Sequence, residues 1–148
     1  MNTLILQTAT RHLRPVLLVF ALWLLWRGHN APGGGFIAGL VAGGSVVLHA
    51  VTFGPDDARR LMRAPPRIWI AVGLALALGA GLAGLVFGEA LLDALWLDVP
   101  GIGPLGTPLI FDVGVFAAVI GVVAEFTLSL WPAVAADAAD TADTAEGG

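Results

Sequence analysis

The chain contains no cysteine and no lysine. The first absence excludes a disulfide framework and a thiolate metal site. The second makes arginine the source of all seven fixed basic charges. It also removes the buried lysine on which a self-sufficient proton pump would most readily rely. Charge of either sign is scarce: 12% of the 148 residues are charged, 57% are hydrophobic, and the mean hydropathy is +0.88. Such a chain is too apolar to fold around one small core and keep a water-compatible surface, so it reads as an all-α integral membrane protein. The net charge of −4 is concentrated in a tail bearing Asp137, Asp140, Asp143 and Glu146. That placement argues against nucleic acid as a partner and leaves the body nearly neutral.

What the sequence does have is long apolar runs. A helix rising 1.5 Å per residue needs about 20 residues to cross some 30 Å of hydrocarbon. Four runs approach that length, so four transmembrane helices are expected at about residues 4–26, 35–53, 68–87 and 108–131. They form one domain over residues 1–131, followed by an acidic tail at 132–148. Arg11, His12 and Arg14 in the first run would snorkel to the headgroups. Gly54-Pro55 and Trp131-Pro132 supply stops, and Thr107-Pro108 supplies a start for the last helix, a hydroxyl at the N-cap and a proline at the first position. The tail is acidic, alanine-rich and low in complexity, so on its own it would be disordered or weakly helical. Arg11 and Arg14 before a short apolar stretch resemble the start of a secretory signal. Ala31 is followed by Pro32 and preceded two positions back by the bulky His29, however, so the segment is expected to stay uncleaved.

Orientation follows from the arginines. With the N-terminus in the cytoplasm, Arg11, Arg14, Arg59, Arg60, Arg63 and Arg67 all fall inside and only Arg27 falls outside. Both termini are then cytoplasmic in a multi-pass protein of the cell membrane. The 88–107 loop faces outward with Glu89, Asp93 and Asp98. There EALLDALWLD is expected to continue as a short amphipathic helix with Trp96 at headgroup depth, and VPGIGPLGTP to be non-helical.

Small residues recur at four-residue spacing, which in lipid lets helix backbones approach closely. Gly35, Gly39 and Gly43 form one ladder; Gly73, Ala77 and Gly81, and separately Ala80, Gly84 and Gly88, form two faces of the third helix; Ala117 and Gly121 lie on the fourth. These faces serve packing within the chain or docking to other subunits. Three ionisable residues lie at membrane depth. Glu125 sits about 9 Å inside the inner end of the last helix, on the face of Ala117 and Gly121. A carboxylate there must face protein or water, and it is a candidate for carrying protons or sodium, for pairing with another subunit, or for snorkelling to the headgroups. His49 lies at similar depth and either pairs with Glu125 or snorkels. Asp112 lies about 6 Å inside the outer boundary.

The most polar stretch of the first half is Arg27-Gly28-His29-Asn30-Ala31-Pro32-Gly33-Gly34-Gly35-Phe36. A phosphate cradle is disfavoured because the GK[ST] ending is missing and no strand precedes the glycines. A tight connection between two antiparallel helices uses glycine and proline, and His29 and Asn30 are placed to cap carbonyls ending the first helix. Gly33 is expected to lie in that loop with room to relax. The alternative is an outer-surface site for an ion pathway or a partner subunit. Asp112 is expected to be tied to this loop, through Arg27 or through backbone N–H groups among Gly33 to Phe36, so that the two stretches form one clamp.

This stretch, continued by Ile37-Ala38-Gly39-Leu40, resembles the signature of the MnhB/MrpB family, the B subunits of Mrp-type (Mnh-type) multi-subunit sodium/proton antiporters. Gly106-Thr107-Pro108-Leu109-Ile110-Phe111-Asp112-Val113-Gly114-Val115 is similar to that family's second recurring stretch, and the resemblance spans about residues 4 to 131. It implies a small four-helix component of an assembly related to the membrane arm of respiratory complex I. Other membrane subunits would be its partners, beside the lipid bilayer and, if it lines part of the ion path, Na+ or H+. No catalytic residue, metal site or cofactor is expected, and three histidines at unrelated depths do not form a haem pair. The competing reading is a stand-alone homo-oligomeric ion transporter or channel, although the sequence shows no inverted repeat.

Overall fold

The computed structural model describes residues 2–28, 33–86, 96–99 and 103–146. The elements in chain order are α1 (Asn2–Arg27), α2 (Gly35–Phe53), α3 (Pro55–Met62), α4 (Pro66–Val86), β1 (Trp96–Val99), β2 (Gly103–Gly106) and α5 (Thr107–Glu146). Among the described residues, three stretches are long and apolar enough to cross a membrane: Gly35–Phe53, Pro55–Leu85 and Thr107–Asp137. The 26-residue α1 has the length to cross, but Arg11 and Arg14 dilute its apolar character.

α5 is the central helix. α1 packs on α2, α2 packs on α5, and α5 packs on α4. The small residues allow this. A Cβ added to Gly39 would meet the Val119 side chain at 2.7 Å and the Phe116 carbonyl at 3.0 Å, and one on Gly43 would meet Val123 at 2.9 Å. On the other face of α5, a Cβ on Gly114 would lie 2.6 Å from the carbonyl of Gly73, and one on Gly121 would lie 2.8 Å from Ile70 and the Pro66 carbonyl. Gly73 is closed in the same way by the backbone of Ala118. Backbone therefore touches backbone on both sides of α5, the arrangement small residues permit where lipid removes the hydrophobic drive to associate. The rest of the core is Ala21, Ala42, Val46, Met62, Ile120 and Ala124, with Leu18, Val41, Trp69 and Phe116 packed around it.

Four features differ from the sequence expectation. The 54–67 connection contains a helix. Gly54 ends α2 at φ 94°, Pro55 opens α3, Asp56 and Asp57 occupy its first turn, and Arg59 and Arg60 its last. Each of these placements suits the helix dipole or the missing proline N–H. Ala58 is buried beside Ala50 and Leu128, which anchors α3 across the end of the bundle. Second, Trp131-Pro132 does not stop the last helix. α5 runs 40 residues with Pro132 inside it, about 60 Å, so the alanine-rich tail continues the helix. Proline at 132 leaves the Leu128 carbonyl without its backbone donor. The Arg59 guanidinium donates to that oxygen instead, at 3.5 Å.

Third, Trp96–Val99 is a strand. It pairs antiparallel with Gly103–Gly106 in the register Trp96↔Gly106 to Val99↔Gly103, so the amphipathic helix expected over EALLDALWLD does not extend through Trp96. Its residues 89–95, like Phe87 and Gly88, lie outside the described residues. Pro104 is tolerated because a two-stranded ribbon consists of edge strands. Fourth, Gly33 has little room, since a Cβ there would lie 2.7 Å from the Leu24 carbonyl.

Candidate functional site

At one end of the bundle the two sequence motifs meet. The carbonyl of Leu24, one turn before the end of α1, accepts hydrogen bonds from the N–H groups of Gly28 (3.1 Å) and Gly34 (3.2 Å), folding the chain back toward α2. Gly34 then takes φ +104°, a backbone conformation that L side chains rarely adopt. Where a Cβ on Gly34 would stand, both carboxylate oxygens of Asp112 lie 3.6 Å away. A Cβ on Gly35 would collide with the backbone carbonyl of Asp112. The glycines thus give α5 its approach, and the half-buried Asp112 carboxylate stands against the N-terminus of α2. There the first-turn N–H groups are unpaired within the helix and the dipole favours an anion. Gly34 makes no side-chain cap hydrogen bond.

Arg27 takes a different course from the one considered for it. Its guanidinium carbon lies 4.9 Å from the centre of the Trp23 ring, a cation–π arrangement, and among the described residues it forms no ion pair with Asp112. The glycines, and not the arginine, bring the loop to the carboxylate. His29, Asn30 and Pro32 lie outside the described residues. Thr107 and Pro108 open α5 and, with Ala80, Gly81 and Phe111, line a cleft of about 160 Å³ between α4 and α5. Gly81 and Gly84 are both buried.

The opposite end gathers the other six arginines. Thr10 of α1 and Thr52 of α2 share a hydrogen bond at 2.8 Å, which sets the Arg11–Arg14 turn beside the C-terminus of α2 and hence beside α3. Across the bundle, Arg67 Nε donates to Glu125 Oε1 at 2.8 Å. The geometry follows from packing: Gly121 sits on Pro66 and Ile70, so the residue one turn along the same face of α5 meets Arg67. Glu125 therefore has its partner within the chain, and not in His49 as one of the options required. The His49 ring instead packs on Phe53, with centroids 4.7 Å apart. Asp112 and Glu125 lie about 20 Å apart along α5, so the three ionisable residues do not form one site. Among the described residues no group of three His, Asp or Glu side chains is placed to hold a metal ion.

Two contacts at this end escape a reading of the sequence. The Arg67–Glu125 pair is signalled only by Gly121 lying four residues before Glu125. The Arg59–Leu128 bond is signalled by Pro132, which frees a carbonyl four residues earlier.

Apolar helices closed face to face through glycine, with fixed positive charge crowded at one end, define a small multi-pass helical membrane protein. Its similarity to known proteins is specific. A family model described as a domain related to the MnhB subunit of Na+/H+ antiporter matches residues 5–125, and the chain belongs to that family. It is 38% identical over 125 residues to the B subunit of the Na(+)/H(+) antiporter of Bacillus subtilis (strain 168), covering 82% of this chain and 87% of that protein. It is 35% identical over 136 residues to the corresponding Na(+)/H(+) antiporter B subunit of Alkalihalophilus pseudofirmus (strain ATCC BAA-2126 / JCM 17055 / OF4), covering 87% and 92%. In the solved structure of the Mrp complex from Dietzia sp. DQ12-45-1b, one chain superposes with a TM-score of 0.74 at 39% identity over 86% of this chain. This chain spans only 14% of that longer one.

Proposed function

We propose that this chain is a non-enzymatic subunit of a multi-subunit Na+/H+ antiporter, needed to assemble the complex. In this reading α1, α2, α4 and α5 cross the cell membrane, both termini are cytoplasmic, and residues 1–131 form the membrane domain. The six arginines collected at one end support that orientation, since basic residues concentrate on the cytoplasmic side. α1 completes the set because Arg11 and Arg14 lie within snorkelling distance of that end.

The observation that carries the assembly role is the junction of Gly34 and Gly35 with Asp112. In this reading it ties the outer ends of α1, α2 and α5 together through Gly34 and Gly35. The outward faces of α1 and α4 remain apolar, with Trp23, Trp26, Leu74 and Leu78 each about half exposed or more, and are available to lipid and to neighbouring subunits. Glu125, already paired with Arg67, acts in this reading as a structural anion.

Removing the chain tests this. Everted membrane vesicles from cells lacking it should lose Na+-dependent dissipation of a preformed pH gradient, and blue native gels should show the remaining subunits in smaller assemblies. Full exchange from an intact complex without this chain contradicts the proposal.

A further inference from the structure

The α3–α4 connection and α5 border an open recess of about 470 Å³ whose polar lining is Arg59, Arg63, Arg67, Glu125 and Ser129. Three guanidinium groups face one carboxylate there. Glu125 engages Arg67 at 2.8 Å, and Arg59 is divided between Asp56 at 3.0 Å and the Leu128 carbonyl at 3.5 Å. The Arg63 side chain has no ion pair or hydrogen bond among the described residues, and the charge of this recess is left unbalanced in the positive direction. Arg63 is also the one non-glycine described residue with positive φ, at 59°. Glycine would fit that backbone without strain.

The place of the recess is as informative as its charge. It is lined by Arg59 of α3, by the residues between α3 and α4 and by the first turn of α4, beside Glu125 and Leu128 of α5. Leu74 and Leu78, about two and three turns deeper on the side of α4 that carries Arg67, are each about half exposed. A basic recess at the cytoplasmic end of a helix bundle, continued by an apolar strip, matches an anionic phospholipid: a phosphodiester at the arginines and acyl chains along the helix.

We propose that this recess binds the phosphate group of an anionic phospholipid, with Arg63 as its principal cation and Arg59 beside it. The assignment rests on the reading that this end of the bundle lies at the cytoplasmic membrane surface. Arg63 then occupies a left-handed position that glycine would fill more easily because its charge is used there.

The test uses the complex purified through this chain and placed in phosphatidylcholine nanodiscs containing a minor fraction of phosphatidylglycerol, with bound lipid counted by native mass spectrometry. The wild-type complex retains phosphatidylglycerol, and Arg63→Gly weakens retention by about fivefold, the effect of one interfacial basic charge. Glycine suits φ 59° better than arginine, so that loss cannot be ascribed to a damaged turn. Arg63→Lys retains most of the lipid, and Arg11→Gln, on the same end but outside the recess, retains all of it. Inorganic phosphate that displaces the lipid at an ionic strength where chloride does not identifies the phosphate as the recognised group. Equal retention by Arg63→Gly and wild type overturns the proposal, as does inorganic phosphate binding with no retained lipid. Should wild-type chain purify without partner subunits, the antiporter reading fails, while the same lipid comparison on the isolated chain still decides this inference.

Discussion

Gly39→Leu perturbs the centre of the α2–α5 contact. A Cβ alone would stand 2.7 Å from Val119 Cβ, 2.9 Å from its Cγ1 and 3.0 Å from the Phe116 carbonyl oxygen. Carbon atoms pack best at about 3.5–4.0 Å, so the two helices must part by roughly 1 Å before the rest of the leucine is accommodated. Parting them at Gly39 also strains the contacts one turn away at Gly35 and Gly43, because all three lie on one face of α2. Overpacking a close-packed core costs about 1–3 kcal/mol, and a leucine at this position belongs at the top of that range. About 3 kcal/mol corresponds to roughly a hundredfold in an equilibrium constant. The assay is recovery of the intact complex in mild detergent, with its thermal transition followed by intrinsic fluorescence. Gly44→Leu on the same helix is the control, since nothing lies within 4 Å of a Cβ there. We expect Gly39→Leu to abolish most recovery and Gly44→Leu to resemble wild type. Equal recovery of both variants refutes the packing argument. Loss of both would mean that the outward face, and not the α2–α5 seam, governs assembly.

Three further outcomes follow from the two ends of the bundle. Gly34→Ala forces φ +104° on an L side chain beside the Asp112 carboxylate and should cost about 1–2 kcal/mol. Gly35→Ala, which collides with the Asp112 carbonyl, should be worse, and a smaller loss of thermal stability for Gly35→Ala than for Gly34→Ala would contradict the geometry. Glu125→Gln breaks a pair whose arginine is 83% exposed, so it should cost no more than about 1 kcal/mol and leave exchange in the assembled complex intact. Loss of exchange without loss of stability would show instead that this carboxylate handles the ion. Pro132→Ala restores a backbone donor to Leu128, so Arg59→Ala should cost less in that background than in wild type, a coupling that a double-mutant cycle on thermal stability measures.

Helix α2 is legible in the sequence because glycine punctuates it. Gly35–Phe53 is bounded by residues that can take positive φ or pack without a side chain, and the expected limits match the observed ones. The meeting of Gly34 and Gly35 with Asp112 is legible because a carboxylate in an apolar run needs a partner and bare backbone suits its approach. Its means is not: the charge of Arg27 pointed to an ion pair, whereas the ring of Trp23 one turn earlier takes the guanidinium. α3 was hidden because eight residues rich in Asp and Arg show no apolar run, and their helix is held by caps and by Ala58 against Leu128. The passage of α5 through Pro132 was hidden for a related reason. A proline frees and crowds the carbonyl four residues earlier, and here Arg59, from a part of the chain 69 residues before Leu128, satisfies that carbonyl. The Trp96–Gly106 ribbon depends on pairing across a turn, which the period of either strand alone does not announce.

The most direct test of an assembly role is the composition of what this chain brings with it from the membrane. The tagged chain, extracted in mild detergent from its native membrane and analysed by mass spectrometry, should co-purify with several different membrane proteins in fixed proportion. That assembly, reconstituted into liposomes, should exchange Na+ for H+. Recovery of the chain alone, as a homo-oligomer that conducts ions by itself, would contradict that role.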